Sequence, residues 1–302
     1  MQKIKIKLPA TLTNLGPGLN SLGLAVSLYT TVEITRRNDE MLVVETAGEG
    51  AGRYGIGLRH PTALAIMRVF QREERAVLGV TIKVNNQIPL DSGMGAEAAF
   101  WVAGVIGANN LLGAGYSRET ILEIAARISD WPEQTATTIL GGLTASMIQG
   151  ENLVYRSLPV QALNVVIVLP ELERYREAAS RGRPERVPIH DALYNLSRLP
   201  LLVDALRAGD LRMIGQTLDD RLHLPYLKPH ITGYDHAAEM ARRAGASAVG
   251  LTGDGPAIVA FCEQNPKMVA TMMELAFENS GVKARSWVLS VDRQGVVISV
   301  AG

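Results

Sequence analysis

The sequence predicts an α+β protein built as two packed domains, and three observations carry that expectation. At 302 residues the chain is longer than one hydrophobic core usually serves. Hydrophobic residues make up 47% and charged residues 20%, an ordinary globular balance rather than a disordered or fibrous one. Segments of period two and period 3.6 follow one another in an irregular order that does not repeat a strand–helix–strand unit.

Taken in order, lysine and isoleucine alternate from Lys3 to Lys7, which reads as a strand near 3–8 where a signal peptide would need a continuous apolar run. Further strands are expected near 31–36, 41–46 and 80–86, with helices near 60–74, 96–112 and 119–129. The apolar run from Ala98 to Ala108 is about half the length that spans a bilayer, so it is expected as a helix buried in the core. Leu143 to Gln149 and Asn152 to Leu158 flank Gly150-Glu151 as a hairpin, and Val165 to Pro170 reads as a short buried strand. The stretch from Glu171 to Arg186 is rich in arginine and glutamate and reads as a solvated surface helix or loop. Helices near 189–207, 210–222, 233–244 and 265–280, with strands near 247–252, 256–262 and 283–291, suit a second domain of split β-α-β type. The expected division is 1–160 and 161–302.

Thirty basic and thirty acidic side chains cancel, which argues against nucleic acid or an anionic membrane as the main partner. Cys262 is the single cysteine and sits in an apolar run, so a buried thiol in a reducing cytosol is expected.

Three glycine-rich stretches carry the chemistry. Pro89-Leu90-Asp91-Ser92-Gly93-Met94-Gly95-Ala96-Glu97 leads into a helix, and such a loop lets backbone N–H groups approach an anion. Asn14-Leu15-Gly16-Pro17-Gly18-Leu19-Asn20 follows the first strand and offers two side-chain amides; turn formation accounts for its glycines better than for its asparagines. Gly250-Leu251-Thr252-Gly253-Asp254-Gly255-Pro256 reads by itself as a hairpin turn.

In this order the three stretches resemble the GHMP kinase superfamily, and within it the homoserine kinases most closely. Residues 9–25 resemble their Pro-Ala-Ser-x-Ala-Asn-Leu-Gly-Pro-Gly-Phe-Asp-Ser-Leu-Gly motif, 89–99 their Pro-x-x-x-Gly-Leu-Gly-Ser-Ser-Ala-Ala loop, and 250–256 their Leu-Ser-Gly-Ala-Gly-Pro motif. Ser129-Asp130-Trp131-Pro132-Glu133-Gln134 is similar to their Glu-Gly-His-Pro-Asp-Asn, and Asp220-Arg221-Leu222-His223-Leu224-Pro225-Tyr226 to their Asp-x-Leu-His-Gln-Pro-Tyr. The resemblance implies an N-terminal domain like domain 2 of ribosomal protein S5, a ferredoxin-like C-terminal domain and a site in the cleft between them. It also implies ATP and magnesium as cofactors, a small-molecule alcohol as acceptor and a homodimer. Carried over, it assigns the nucleotide to Pro89, Ser92, Gly93, Met94, Gly95, Ala96, Glu97, Gly253 and Gly255. The acceptor falls to Asn14, Asn20, Trp131, Arg181, Arg183 and Leu227, catalysis to Gln134 and Glu123, and magnesium to Glu123 and Glu97.

Several of these positions depart from the pattern. Ala96 and Glu97 stand for the Ser-Ser pair, Asn20 for an Asp, Trp131 for a His, Gln134 for an Asn and Leu227 for an Arg. A carboxylate about 4 Å from one phosphate charge costs roughly 4 kcal/mol at an effective dielectric near 20. Three placements of Glu97 follow: turned to solvent, binding magnesium, or paired with an arginine. The expectation is an ATP-dependent phosphotransferase acting on a small alcohol other than homoserine, with a catalytically inactive binding or regulatory homologue as the alternative.

Overall fold

The computed structural model of the chain describes residues 3–301 apart from 56, 77–78, 174 and 181–183. The chain begins with β1 (Lys3–Thr13), β2 (Leu22–Arg36), β3 (Leu42–Gly48), α1 (Pro61–Arg72) and β4 (Val80–Asn86). Three helices follow, α2 (Ala96–Leu112), α3 (Arg118–Ile128) and α4 (Pro132–Leu140), and then the hairpin of β5 (Leu143–Gln149) and β6 (Asn152–Leu158). The second half runs through β7 (Asn164–Pro170), α5 (Tyr175–Ser180), α6 (Ile189–Ala208), α7 (Leu211–Thr217), α8 (Leu224–Leu227) and α9 (Tyr234–Arg243). It ends with β8 (Ala246–Leu251), β9 (Ile258–Cys262), α10 (Pro266–Asn279), β10 (Ala284–Ser290) and β11 (Val297–Ala301).

Among the described residues the strands form two sheets. The first is ordered β11-β1-β2-β4-β3, with β5 attached to β2 and β6 to β5. The second is β10-β7-β9-β8, antiparallel throughout. The mixture is α+β, as the irregular order of elements predicts.

β1 and β2 are far longer than alternation alone suggests. Lys3, Lys5 and Lys7 point outward while Ile4 and Ile6 are buried, but from Leu8 to Thr13 every residue is buried. Burial on both faces removes the polar half of the alternation, which is why the strand signal stops at residue 8. Three further elements escape the sequence pattern: α4, which is rich in threonine, the single turn of α8, and β11. The last pairs with β1 from Lys3↔Ala301 to Lys7↔Val297, so the end of the chain lies in the first sheet and departs from the expected 161–302 domain. The helix expected over 210–222 stops at Thr217.

Three apolar clusters hold these layers. One packs α1, α2 and α3 on the first sheet, and another packs α9 and α10 on the outer face of the second. The remaining cluster joins the halves, bringing Leu12, Leu24, Ile88 and Met94 against Val165, Ile167, Leu206 and Phe261. Cys262 is buried, and burial pushes its thiol pKa up. Among the described residues no helix is long and apolar enough to cross a membrane.

Candidate functional site

The loop between β4 and α2 is built from within. Buried Asn86 closes its entry, its side chain accepting from Ile88 N at 2.9 Å and donating to Ile88 O at 2.8 Å. The Ser92 hydroxyl donates to Pro89 O at 2.7 Å and accepts from Met94 N at 3.3 Å. Gly93 has φ +80°, and a Cβ there would lie 2.2 Å from Thr252 O. The loop is thus clasped by the turn between β8 and β9: Thr252 Oγ1 donates to Gly93 O at 3.0 Å, Ala257 N to Ser92 O at 3.2 Å, and Gly253 N to Thr13 O at 2.7 Å.

Two helix starts face the same space. α2 begins after Gly95 (φ +79°) and α4 after Trp131, and neither has a side-chain cap. No capping side chain thus stands between either helix start and the space before it, and the positive end of each dipole is directed there. They are close neighbours, since a Cβ on Gly95 would come within 3.4 Å of Gln134 Oε1. Beside them the Thr11 hydroxyl is buried without a partner among the described residues.

Glu97, in the first turn of α2, pairs with no arginine among the described residues. Its Oε1 accepts from the Tyr54 hydroxyl at 2.8 Å, and burial together with this bond raises the Tyr54 pKa. Two described arginines go instead to Asp91, which is gripped by Arg53 at 3.2 Å and by Arg176 of α5.

Asn14 and Asn20 both have left-handed backbone, φ 55° and 51°, a conformation asparagine adopts more readily than most residues. Asn14 Oδ1 accepts from Asn20 N at 2.8 Å, and its Nδ2 donates to Asp254 Oδ1 at 3.3 Å. The pairing that turn formation left unexplained is thus in large part structural. Asp220 accepts three N–H bonds, from Leu222, His223 and Leu224, and so orders the segment that carries buried His223 to within 3.2 Å of Asp254. Tyr175 donates to the Asp254 carbonyl at 2.7 Å.

These parts line one cavity of about 810 Å³. Pro89, Ser92, Gly93, Met94, Gly95, Ala96, Glu97 and Gly255 all reach it, as do Asn14, Asn20, Trp131, Gln134 and Leu227, while Gly253 braces the loop from behind. Leu227 is also core, 1% exposed and packed in the cluster that holds Tyr234 and Ile231. Arg181 and Arg183 fall outside the described residues. Glu123 is exposed on α3, whose Ile121, Leu122, Ile124 and Ala125 are buried, and it is not among the described residues that line the cavity. Four acidic residues that line the cavity, Asp91, Asp130, Glu133 and Asp254, receive no role from the sequence although all stand inside quoted motifs.

The chain matches the models of the GHMP kinases N terminal domain over residues 61–141 and the GHMP kinases C terminal domain over 202–279. It is 33% identical over 294 residues to the homoserine kinase of Moorella thermoacetica, covering 97% of this chain and 99% of that one. This chain belongs to the GHMP kinases. A Prochlorococcus marinus homoserine kinase is 35% identical over 301 residues, covering 97% of this GHMP kinase and 95% of the relative. In structure it resembles homoserine kinase from Cytophaga hutchinsonii, with a TM-score of 0.88, 25% identity and coverage of 98% and 97%. A mevalonate kinase from L. major, at 15% identity and a TM-score of 0.70 over 96% of each chain, shares the fold.

Both cofactors implied for a GHMP kinase find matching chemistry here. The uncapped helix starts and the glycine loop suit phosphate oxygens. For magnesium, which takes one or two carboxylates and otherwise water and phosphate, the cavity offers Glu97, Asp130 and Glu133. Among the described residues no three His, Cys, Asp or Glu side chains converge as a ready-made metal cage. Among the described residues the cavity's charged lining is Asp91, Glu97, Asp130, Glu133, Asp254 and Arg176, five acids to one base, a balance that favours a polyanion chiefly when it arrives with a divalent cation.

Proposed function

We propose that this GHMP kinase transfers the γ-phosphoryl group of ATP, with magnesium, to the hydroxyl of a small molecule other than homoserine. The observation that carries this reading is the meeting of two uncapped helix starts, those of α2 and α4, with the Gly93-Met94-Gly95 loop at one cavity. Phosphoryl transfer is catalysed mainly by positioning and charge neutralisation, and these are what such a frame supplies. In this reading the backbone from Ser92 to Ala96 receives the phosphates and Glu97, steadied by Tyr54, stands on the metal side. Gln134 orients the acceptor, and Asn14, Asn20, Trp131 and Leu227 shape its pocket. Asn20 and Leu227 replace the Asp and Arg that the resemblance assigns to the two ends of a zwitterion, which is why homoserine is set aside. The enzyme is proposed to work in the cytosol as a homodimer.

The position of Glu97 favours a second reading, a non-catalytic homologue that binds a ligand without turnover. Its carboxylate lies in the turn where phosphate oxygens would sit, and the Tyr54 bond holds it. Calorimetry with an unreactive ATP analogue and magnesium separates the two. Micromolar binding supports the kinase, and no binding at millimolar nucleotide removes it. ADP release with a panel of alcohols, homoserine included, then tests the acceptor.

A further inference from the structure

The β5–β6 hairpin leaves the first sheet and carries an apolar surface to the cavity. β5 pairs with β2 only from Leu22↔Ala145 to Leu24↔Leu143, and Ser146 N makes one last bond to Ser21 O at 2.8 Å. Beyond that point Met147, Ile148 and Gln149 pair with β6 alone, so the hairpin projects as a two-stranded ribbon. Met147 is 55% exposed, Ile148 53%, and Val154, directly across from Met147, 41%. Solvated ribbons carry polar side chains at such positions, and clustered exposed apolar ones mark a surface that binds something.

Both Met147 and Ile148 line the cavity, and so do half-buried Trp131 at the start of α4 and Leu227 of α8. Trp131 is three residues from Gln134, whose amide lies beside the α2 start. The apolar wall and the phosphate cradle thus share one cavity. Its described charged lining is mostly acidic, which disfavours a carboxylate-bearing acceptor, and Arg176, the one described base, is ion-paired to Asp91.

Resting on the kinase reading, we propose that Met147, Ile148 and Trp131 are its specificity wall and that the acceptor is a small alcohol with an apolar aliphatic body rather than a zwitterion. Burial of an aliphatic chain on this wall supplies the affinity, and the hydroxyl end is left for Gln134.

The test is a titration of primary alcohols from butanol to octanol, followed by ligand-observed NMR, with an unreactive ATP analogue and magnesium present. Affinity is expected to rise roughly three- to fourfold per methylene until the wall is covered, and homoserine is expected to bind more weakly than pentanol. In the double variant Met147→Ser, Ile148→Ser the rise per methylene should fall below about twofold. Both side chains are more than half exposed, so the variant folds. A flat series in the native chain, or an unchanged slope in the double variant, overturns the proposal. So does sedimentation showing that the double variant loses a dimer while its slope persists, which would give the ribbon to a second copy of the chain. Analogue titrated without alcohol reports on the kinase reading separately. If the analogue fails to bind while the alcohol series holds, phosphoryl transfer falls and the apolar wall stands.

Discussion

His60 shows how one buried side chain ties the site's framework to pH. Its Nδ1 caps α1 by accepting from Thr62 N at 3.1 Å, and the ring packs between Tyr54 and Phe100 with no exposure. Burial pushes its pKa down from 6.5 to about 4. Between those values the unfolded chain binds a proton that the folded chain does not, so this contribution to stability is full above pH 6.5 and is lost as pH falls toward 4. The loss is on the order of 3 kcal/mol. Urea unfolding across this range should show it, and His60→Asn, which keeps a capping acceptor, should flatten that part of the slope; an unchanged slope would mean that other groups produce it. Glu97 gives a second residue-scale prediction. If its carboxylate stands on the metal side, Glu97→Gln weakens magnesium-dependent binding of an ATP analogue about tenfold and leaves the metal-free affinity nearly untouched. A tenfold gain instead would favour the non-catalytic reading. Glu97 is legible as the odd residue of the cradle because it is a local departure from a local pattern. Its partner Tyr54 lies 43 positions away and left no such mark. The outward turn of Glu123 is legible in the sequence, since apolar residues at 121, 122, 124 and 125 form the buried face of α3.

Elements position the site through backbone contacts that tolerate little. Gly93 and Gly113 both have positive φ, +80° and +62°, yet a Cβ at 93 would meet Thr252 O at 2.2 Å while one at 113 meets nothing within 4 Å. Gly113→Ala is therefore expected to cost about 1 kcal/mol, the left-handed penalty alone. Gly93→Ala should cost roughly 3 kcal/mol or more, because the β8–β9 turn must also move. Urea unfolding of both variants checks this, and equal costs would refute the clasp. Legibility at this scale followed solvent. The β5–β6 hairpin and β4, each with a polar side, match their expected bounds, whereas β1 and β2 run on into segments with no polar side to betray them. α4 leaves little helical signal because Thr135, Thr137 and Thr138 are poor helix formers, held in place by burial.

At the scale of the molecule the halves are joined mainly by their shared apolar cluster, and the ion pairs across the cleft have a different part to play. Glu49 with Arg285 at 2.6 Å, and Asp91 with Arg176, link first half to second, yet their arginine side chains are 47% and 62% exposed. Pairs so exposed contribute about 0–1 kcal/mol each, far less than burial of the side chains that form the shared cluster. The order of the three glycine-rich stretches announced that distant segments would meet in one cleft. It could not announce Asp91 as the point where Arg53 and Arg176 converge, because long flexible arginines leave no spacing rule in the chain. Asp91→Asn separates the two roles. Unfolding stability should change by less than about 1 kcal/mol, because only exposed pairs are lost. At the same time one negative charge leaves the cavity and two guanidinium groups are released beside the phosphate cradle, so affinity for an ATP analogue with magnesium should rise about fivefold at low salt. That gain should shrink as ionic strength increases, since the charges involved are partly exposed and screened. Calorimetry at two salt concentrations reads the affinity, and urea unfolding reads the stability. A loss of several kcal/mol would make Asp91 a structural keystone, and a gain indifferent to salt would mean that the arginines never reach the ligand.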